Sequence, residues 1–139
     1  VAVDLQLVTS QIWARLASDL DAPAAAVRAA LGAGATSIIH ADQLVQEPRP
    51  ARPFLAFRGG SLTGESFDMR PFFCRWFVYD DPGQGHWRIN GLVPLIEAAY
   101  PRFCVPYGRI VVSLVTDERP DDTLNLLFRS IQLIYTRRG

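Results

Sequence analysis

The side chains able to carry chemistry in this chain are few and scattered. His40 and His86 are the two histidines, Cys74 and Cys104 the two cysteines, and Asp80–Asp81 and Asp121–Asp122 form two acidic pairs. His86 lies in GQGHWRIN, close to Asp80 and Asp81. A Ser–His–Asp relay needs a placed nucleophile, and the serines of GGSLTGES, Gly59–Ser66, do not stand in a G-x-S-x-G elbow. His86 therefore reads as a loop histidine. The two histidines and two thiols match no zinc spacing. Turn chemistry accounts for both acidic pairs, with a cation site as the alternative. The glycines of RGGSLTG form neither G-x-G-x-x-G nor a Walker A loop. All 14 basic residues are Arg, so Schiff-base and P-loop lysine chemistry is excluded. The sequence thus predicts no catalytic centre, no cofactor and no metal.

The absence of Lys has two readings. One is coding bias; the other is a preference for the planar, bidentate guanidinium at interfaces. Cys74 and Cys104 sit among apolar neighbours, in FFCRWF and RFCVPY. They read as buried thiols, with a disulfide as the alternative. Fourteen acidic residues balance the basic ones, which argues against strong nonspecific attraction to nucleic acid. No apolar run approaches the ~20 residues of a membrane helix. VAVDLQLVTS lacks the basic start and apolar core of a signal peptide, so synthesis in the cytoplasm is expected.

With 139 residues, 49% hydrophobic and 20% charged, the chain reads as one globular domain, 1–139, needing no disulfide or metal to fold. The spacing of Leu5, Val8, Ile12, Leu16 and Leu20 predicts a helix over Val3–Leu20. A second helix is predicted over Ala22–Leu31, with Asp21 as N-cap, Pro23 in the first turn and Gly32 ending it. Ser37–Val45 reads as a short irregular strand, and EPRPARP, Glu47–Pro53, as stiff connector. Strands are predicted at Phe54–Arg58, Pro71–Tyr79, Arg109–Thr116 and Leu124–Tyr135. A helix is expected over Asn90–Tyr100, with Pro94 tolerated in its first turn, and a turn at Glu118–Thr123. The order predicts an α+β fold: a mostly antiparallel sheet with its helices packed on one face.

That sheet carries more apolar surface than one core uses. Alternation puts Phe72, Cys74, Trp76 and Val78 on one face of the long strand and Phe73, Arg75, Phe77 and Tyr79 on the other. The last strand likewise has Leu127, Ile131, Leu133 and Tyr135 against Phe128 and Ile134. A solvated antiparallel sheet is polar on one side. Either a partner covers the second apolar face, or loops such as EPRPARP fold over it.

Read in order, QLVTSQIWARL, SIIHADQLVQEPRPARPFLAF, MRPFFCRWFVYDD, NGLVPLIEAAY, GRIVVSLVTDE and LLFRSIQLIYTRR resemble the layout of the tail terminator (tail completion, head–tail joining) proteins of long-tailed bacteriophages. The resemblance spans nearly the whole chain. It implies a structural virion protein: a homo-oligomeric ring, usually hexameric, that caps the tail tube and joins it to the head connector. Double-stranded DNA passes through the lumen of such a ring without sequence-specific binding, and no membrane is involved. A cyclic ring needs two complementary patches per subunit. The expected interface residues are Phe73, Arg75, Trp76, Phe77, Tyr79, Tyr135 and Arg137. Two other readings stand beside it: a neighbouring connector protein of similar fold, and a small enzyme or binding domain with a pocket between sheet and helices.

Overall fold

The computed structural model describes residues 5–31, 34–46, 49–60, 72–84, 87–100, 103–105 and 108–137. Three helices, α1 (Leu5–Ala17), α2 (Ala22–Ala30) and α3 (Trp87–Ala99), accompany seven strands: β1 (Ile38–His40), β2 (Phe54–Arg58), β3 (Phe72–Asp80), β4 (Phe103–Val105), β5 (Gly108–Val115), β6 (Arg119–Asp121) and β7 (Leu126–Arg137). The strands form one sheet in the order β1-β2-β3-β7-β5-β4, with β6 alongside the start of β7. Only the β1–β2 pair is parallel among these pairings. The fold is α+β with a mostly antiparallel sheet, as the element order predicts.

The helices bury one face of the sheet. Val8, Ile12 and Leu16 of α1, Val27 of α2, and Ile89, Leu92, Val93 and Ile96 of α3 pack on Leu55, Phe57, Phe72, Cys74, Trp76, Val78, Ile110, Ile131 and Leu133. The predicted three-and-four spacing is thus the buried stripe of α1, except that the helix stops at Ala17 and leaves Leu20 91% exposed. Asp21 precedes α2 as expected, but its carboxylate does not cap the helix; it accepts from Arg15 Nη1 at 2.5 Å. That bond holds the Asp21 carboxyl below its ordinary range. Arg15 Nε also donates to Ala99 O at 2.6 Å, and Arg28 Nη1 to Leu16 O at 2.7 Å. Two guanidiniums therefore satisfy carbonyls at the ends of α3 and α1, where helices leave acceptors open and favour positive charge.

At the centre of this core Trp76 is fully buried. Its Nε1 donates to Tyr100 Oη at 2.8 Å, and Tyr100 in turn donates to Ile12 O at 2.8 Å. One polar relay thus ties the sheet to the end of α3 and the middle of α1. Phe57 tilts against Trp76 at 4.8 Å between centroids, and Trp13 stacks between Trp76 at 5.8 Å and His40 at 4.1 Å.

Some elements differ from the predicted ones for identifiable reasons. The chain leaves β1 at His40 and enters a 3₁₀ turn over Ala41–Val45, with Gln43 Oε1 accepting from the His40 N–H at 2.9 Å. Helix α3 begins at Trp87, so Pro94 lies in its interior rather than its first turn, on the exposed side. The segment expected as a turn at 118–123 contains β6, whose Pro120 sits opposite Leu127, as proline can at a sheet edge. Asn125, with φ 54°, closes the turn into β7, a left-handed conformation asparagine tolerates. In β5, Val112 faces Leu133 and Leu114 faces Gln132, so Ser113 is an extra residue in a β-bulge.

Candidate functional site

The outward face of the sheet, opposite the helices, divides into two halves. In one, Phe54, Ala56, Tyr79 and Leu126 are buried together, with Ile39, Leu44, Phe77, Leu124 and Phe128 packed around them. Leu44 comes from the 3₁₀ turn and Leu124 from the β6–β7 turn, so this half is covered by the chain itself. Phe54 and Tyr79 stack at 5.2 Å, and Tyr79 and Phe128 meet at 5.6 Å. Burial, aided by the nearby Asp121 carboxylate, pushes the Tyr79 hydroxyl up to about 12.

The described residues leave the other half open. Cross-strand register aligns Phe73 with Ile134 and Val111, and Arg75 with Gln132 and Leu114. Phe73 is 36% exposed, Val111 41% and Leu114 53%. Arg75 Nη2 donates to Gln132 Oε1 at 3.3 Å. Arg58, directly opposite Arg75 on β2, and Arg109 on β5 are also exposed. The sequence left open whether a partner or loops cover the second face; among the described residues, the chain's own turns cover one half of it and not the other.

The expected interface residues separate accordingly. Phe73 and Arg75 lie in the open half, and Phe77 in the covered one, partly buried. Trp76 is a correction: it projects under the helices and is 0% exposed, so its side chain has no surface to offer a partner. Tyr79 at 4% and Tyr135 at 7% are also interior, Tyr79 beneath the turns and Tyr135 in the helix-side core. Arg137 ends β7 opposite Gly108; its side chain lies outside the described residues. Sequence reasoning missed Val111 and Leu114. Alternation from Ile110 would have marked Val111, but the bulge that turns Leu114 outward has no simple signature in GRIVVSLV.

Several of the residues first considered for chemistry have structural partners. Asp80, at the end of β3, is fully buried and gripped by α3: Arg88 Nε donates to Oδ2 at 2.8 Å and Nη2 to Oδ1 at 2.5 Å. The Asp80 hydrogen bonds raise the Arg88 pKa further. Asp81 lies 3.3 Å from Arg52 Nε. Asp121 Oδ1 accepts from the Leu124 N–H at 3.1 Å, a turn-closing role. Cys74 is a buried free thiol that desolvation pushes up to about 11, so it stays protonated and unreactive at neutral pH. His86, Arg138 and the Cys104 side chain lie outside the described residues. Among the described residues, no three His, Cys, Asp or Glu side chains group as metal ligands, and no helix is long and apolar enough to cross a membrane. Between sheet and helices, the space considered for a pocket holds Trp76, Tyr100 and Ile12. An open cleft of about 500 Å³ lies elsewhere, lined by Thr36, Ile39, Gln43, Gln46 and Arg49.

No family model matches the sequence, and no curated protein is similar to it. Among solved structures, the fold is similar to that of a chain in the virion of a native gene transfer agent (GTA) particle. That likeness has a TM-score of 0.66, covers 96% of each chain, and comes with 12% sequence identity. It shows a shared fold along nearly the full length of both chains.

Proposed function

We propose that this chain is a structural subunit of a phage-like virion, and within it the tail terminator: a ring that caps the tail tube and joins it to the head connector. The observation that carries the reading is the likeness, over 96% of both chains, to a virion chain of a gene transfer agent particle. It supports the resemblance in layout to tail terminators drawn from the sequence alone. The half-open sheet face supplies what such a subunit requires. Phe73, Val111 and Leu114 form an apolar patch on strands otherwise well packed, and an exposed apolar cluster of this kind marks a surface completed by another protein.

In this reading the protein turns over no substrate and needs no cofactor. It acts by position, as a hexameric ring in the virion between tail tube and head connector, and double-stranded DNA crosses its lumen without being held. Neutral net charge suits that passage, because the affinity of proteins for DNA is dominated by cationic contacts to phosphate.

Size-exclusion chromatography with light scattering tests the assembly. The expected result is a discrete oligomer, formed by the chain alone or on addition of tail tube. A monodisperse monomer at every concentration, with tail tube present, would sink the ring. Electron microscopy of particles labelled on this chain tests the location. Density touching the tail tube is expected; label confined to the head side would favour a neighbouring connector protein.

A further inference from the structure

Charge in this chain balances overall but not locally. Arg58 and Arg75 are direct cross-strand neighbours on the outward face, and both are exposed. Arg109 lies on the same face of β5. Like charges placed opposite each other on adjacent strands repel. Among the described residues of β2, β3, β5 and β7, no carboxylate occupies an outward position in this half. Phe73, Val111 and Leu114 complete the patch, so it joins apolar contact area to cations that face no carboxylate among the described residues of these strands.

The opposite sign collects at the β5–β6–β7 corner. Asp117, Glu118, Asp121 and Asp122 fall within six residues, with Arg119 as the one cation among them. Asp117 and Asp122 are exposed. Asp121 pairs with Leu126 and Arg75 with Gln132. Between those two positions β7 advances by roughly 20 Å at ~3.3 Å per residue. The two ends are separate stretches of one sheet, with the Tyr79 hydroxyl between them within electrostatic reach of both Asp121 and Arg58. They can meet between subunits, and a contact between different patches of identical chains is the head-to-tail kind that closes into rings.

We infer that the occupant of the open half-face is a second copy of this chain, whose acidic corner at Asp117, Asp121 and Asp122 seats against Arg58, Arg75 and Arg109 around the apolar patch. The inference rests on the ring reading and names the two surfaces that build the ring. Complementary charge of this kind sets orientation and register as well as affinity, which a ring with one handedness requires.

Reciprocal charge exchange in the full chain tests it. One variant carries Arg58→Glu and Arg75→Glu, the other Asp117→Arg and Asp122→Arg. Each alone should run as a monomer by light scattering where the wild type is an oligomer, while keeping a cooperative thermal transition. The 1:1 mixture should regain the wild-type mass, because each altered surface now fits the other variant. All four substitutions in one chain should do the same. If the glutamate variant loses its thermal midpoint, Arg58→Gln with Arg75→Gln keeps the test, with a loss of oligomer expected at lower protein concentration. Variants that assemble like the wild type overturn the inference and assign the patch to a different protein. So does a mixture, and a four-fold variant, that stay monomeric beside an oligomeric wild type. Both results leave the ring standing. A wild type that is monomeric even with tail tube instead removes the ring, and this inference with it.

Discussion

The two faces of the sheet are made by the same strands and are nearly equal in aromatic content, yet they have opposite fates. Inward, Phe72, Cys74, Trp76 and Val78 lie under three helices and are at most 4% exposed. Outward, the alternate residues of the same strand run from buried Tyr79 through partly buried Phe77 to exposed Arg75 and Phe73. The gradient follows the reach of two short segments, the 3₁₀ turn carrying Leu44 and the turn carrying Leu124. Apolar character therefore says that a surface must be covered. The covering segments decide how much of that is done by the subunit itself.

The most severe test of this contrast sets Trp76→Asp against Phe73→Asp. The first places a carboxylate in a water-free core beside Tyr100 and should prevent folding, seen as loss of near-ultraviolet circular dichroism. The second should leave the spectrum intact and remove the oligomer. If Phe73→Asp also unfolds the chain, the open half is not open.

Next is the lock between the inward face and α3. Arg88→Met leaves the fully buried Asp80 carboxylate without its fork of donors. Breaking a buried pair in this way costs 3–5 kcal/mol in general, and partial exposure of Arg88 places the loss near the lower end, at about 3 kcal/mol. Urea unfolding measures it, and a loss under about 1 kcal/mol would mean that helix packing alone holds α3.

Alkaline pH probes the same inward face through Cys74. Its thiol is held up to about 11 against an ordinary 9.0, by burial. The folded chain thus keeps a proton that the unfolded chain releases. The stabilisation is whole below about pH 9 and is lost as pH rises through about 11, by up to about 3 kcal/mol. Cys74→Ala should remove this part of the decline. The later decline, from the Tyr79 and Tyr100 hydroxyls that burial holds above the ordinary 10.0, should remain. Identical pH profiles for wild type and Cys74→Ala would show that the thiol is hydrated.

The finest comparison lies within the outward face. Phe77→Ala should cost about 1–2 kcal/mol, because Phe77 packs on Tyr79 and Phe128 in the covered half. Phe73→Ala, in the open half, should change subunit stability by less than about 0.5 kcal/mol and weaken only assembly. Equal costs at the two positions would erase the division between the halves.

Much of the fold was legible because period and composition report directly on burial. The stripe Val8, Ile12, Leu16 and the aromatic run Phe72–Tyr79 gave an element type and an approximate boundary each. Elements held only by tertiary neighbours were not legible. Arg119–Asp121 has turn chemistry and becomes a strand because the start of β7 offers it an edge. Ser37–Val45 has strand-like residues, yet only three of them pair, and Gln43 then turns the chain at His40. For the candidate interface, alternation sorted Trp76 from Phe73 but could not say which of the two sets the helices would take. Trp76 was expected at a surface for that reason. Asp80 was read as part of a turn because its partner, Arg88, comes from an element whose docking no local pattern encodes.

The bulge at Ser113 has a consequence for how this protein tolerates length change. In a β-strand, inside and outside are read like a two-letter frame, and losing any residue from the middle shifts everything downstream to the wrong side. Ser113 is the spare letter. Removing it would leave Val111 and Leu114 facing out and Val112 and Val115 facing in, against the same partners on β7. A one-codon deletion there should straighten the edge of the sheet while keeping its meaning, whereas the same deletion two residues earlier would turn Val112 outward and set Ser113 against Leu133 in the core.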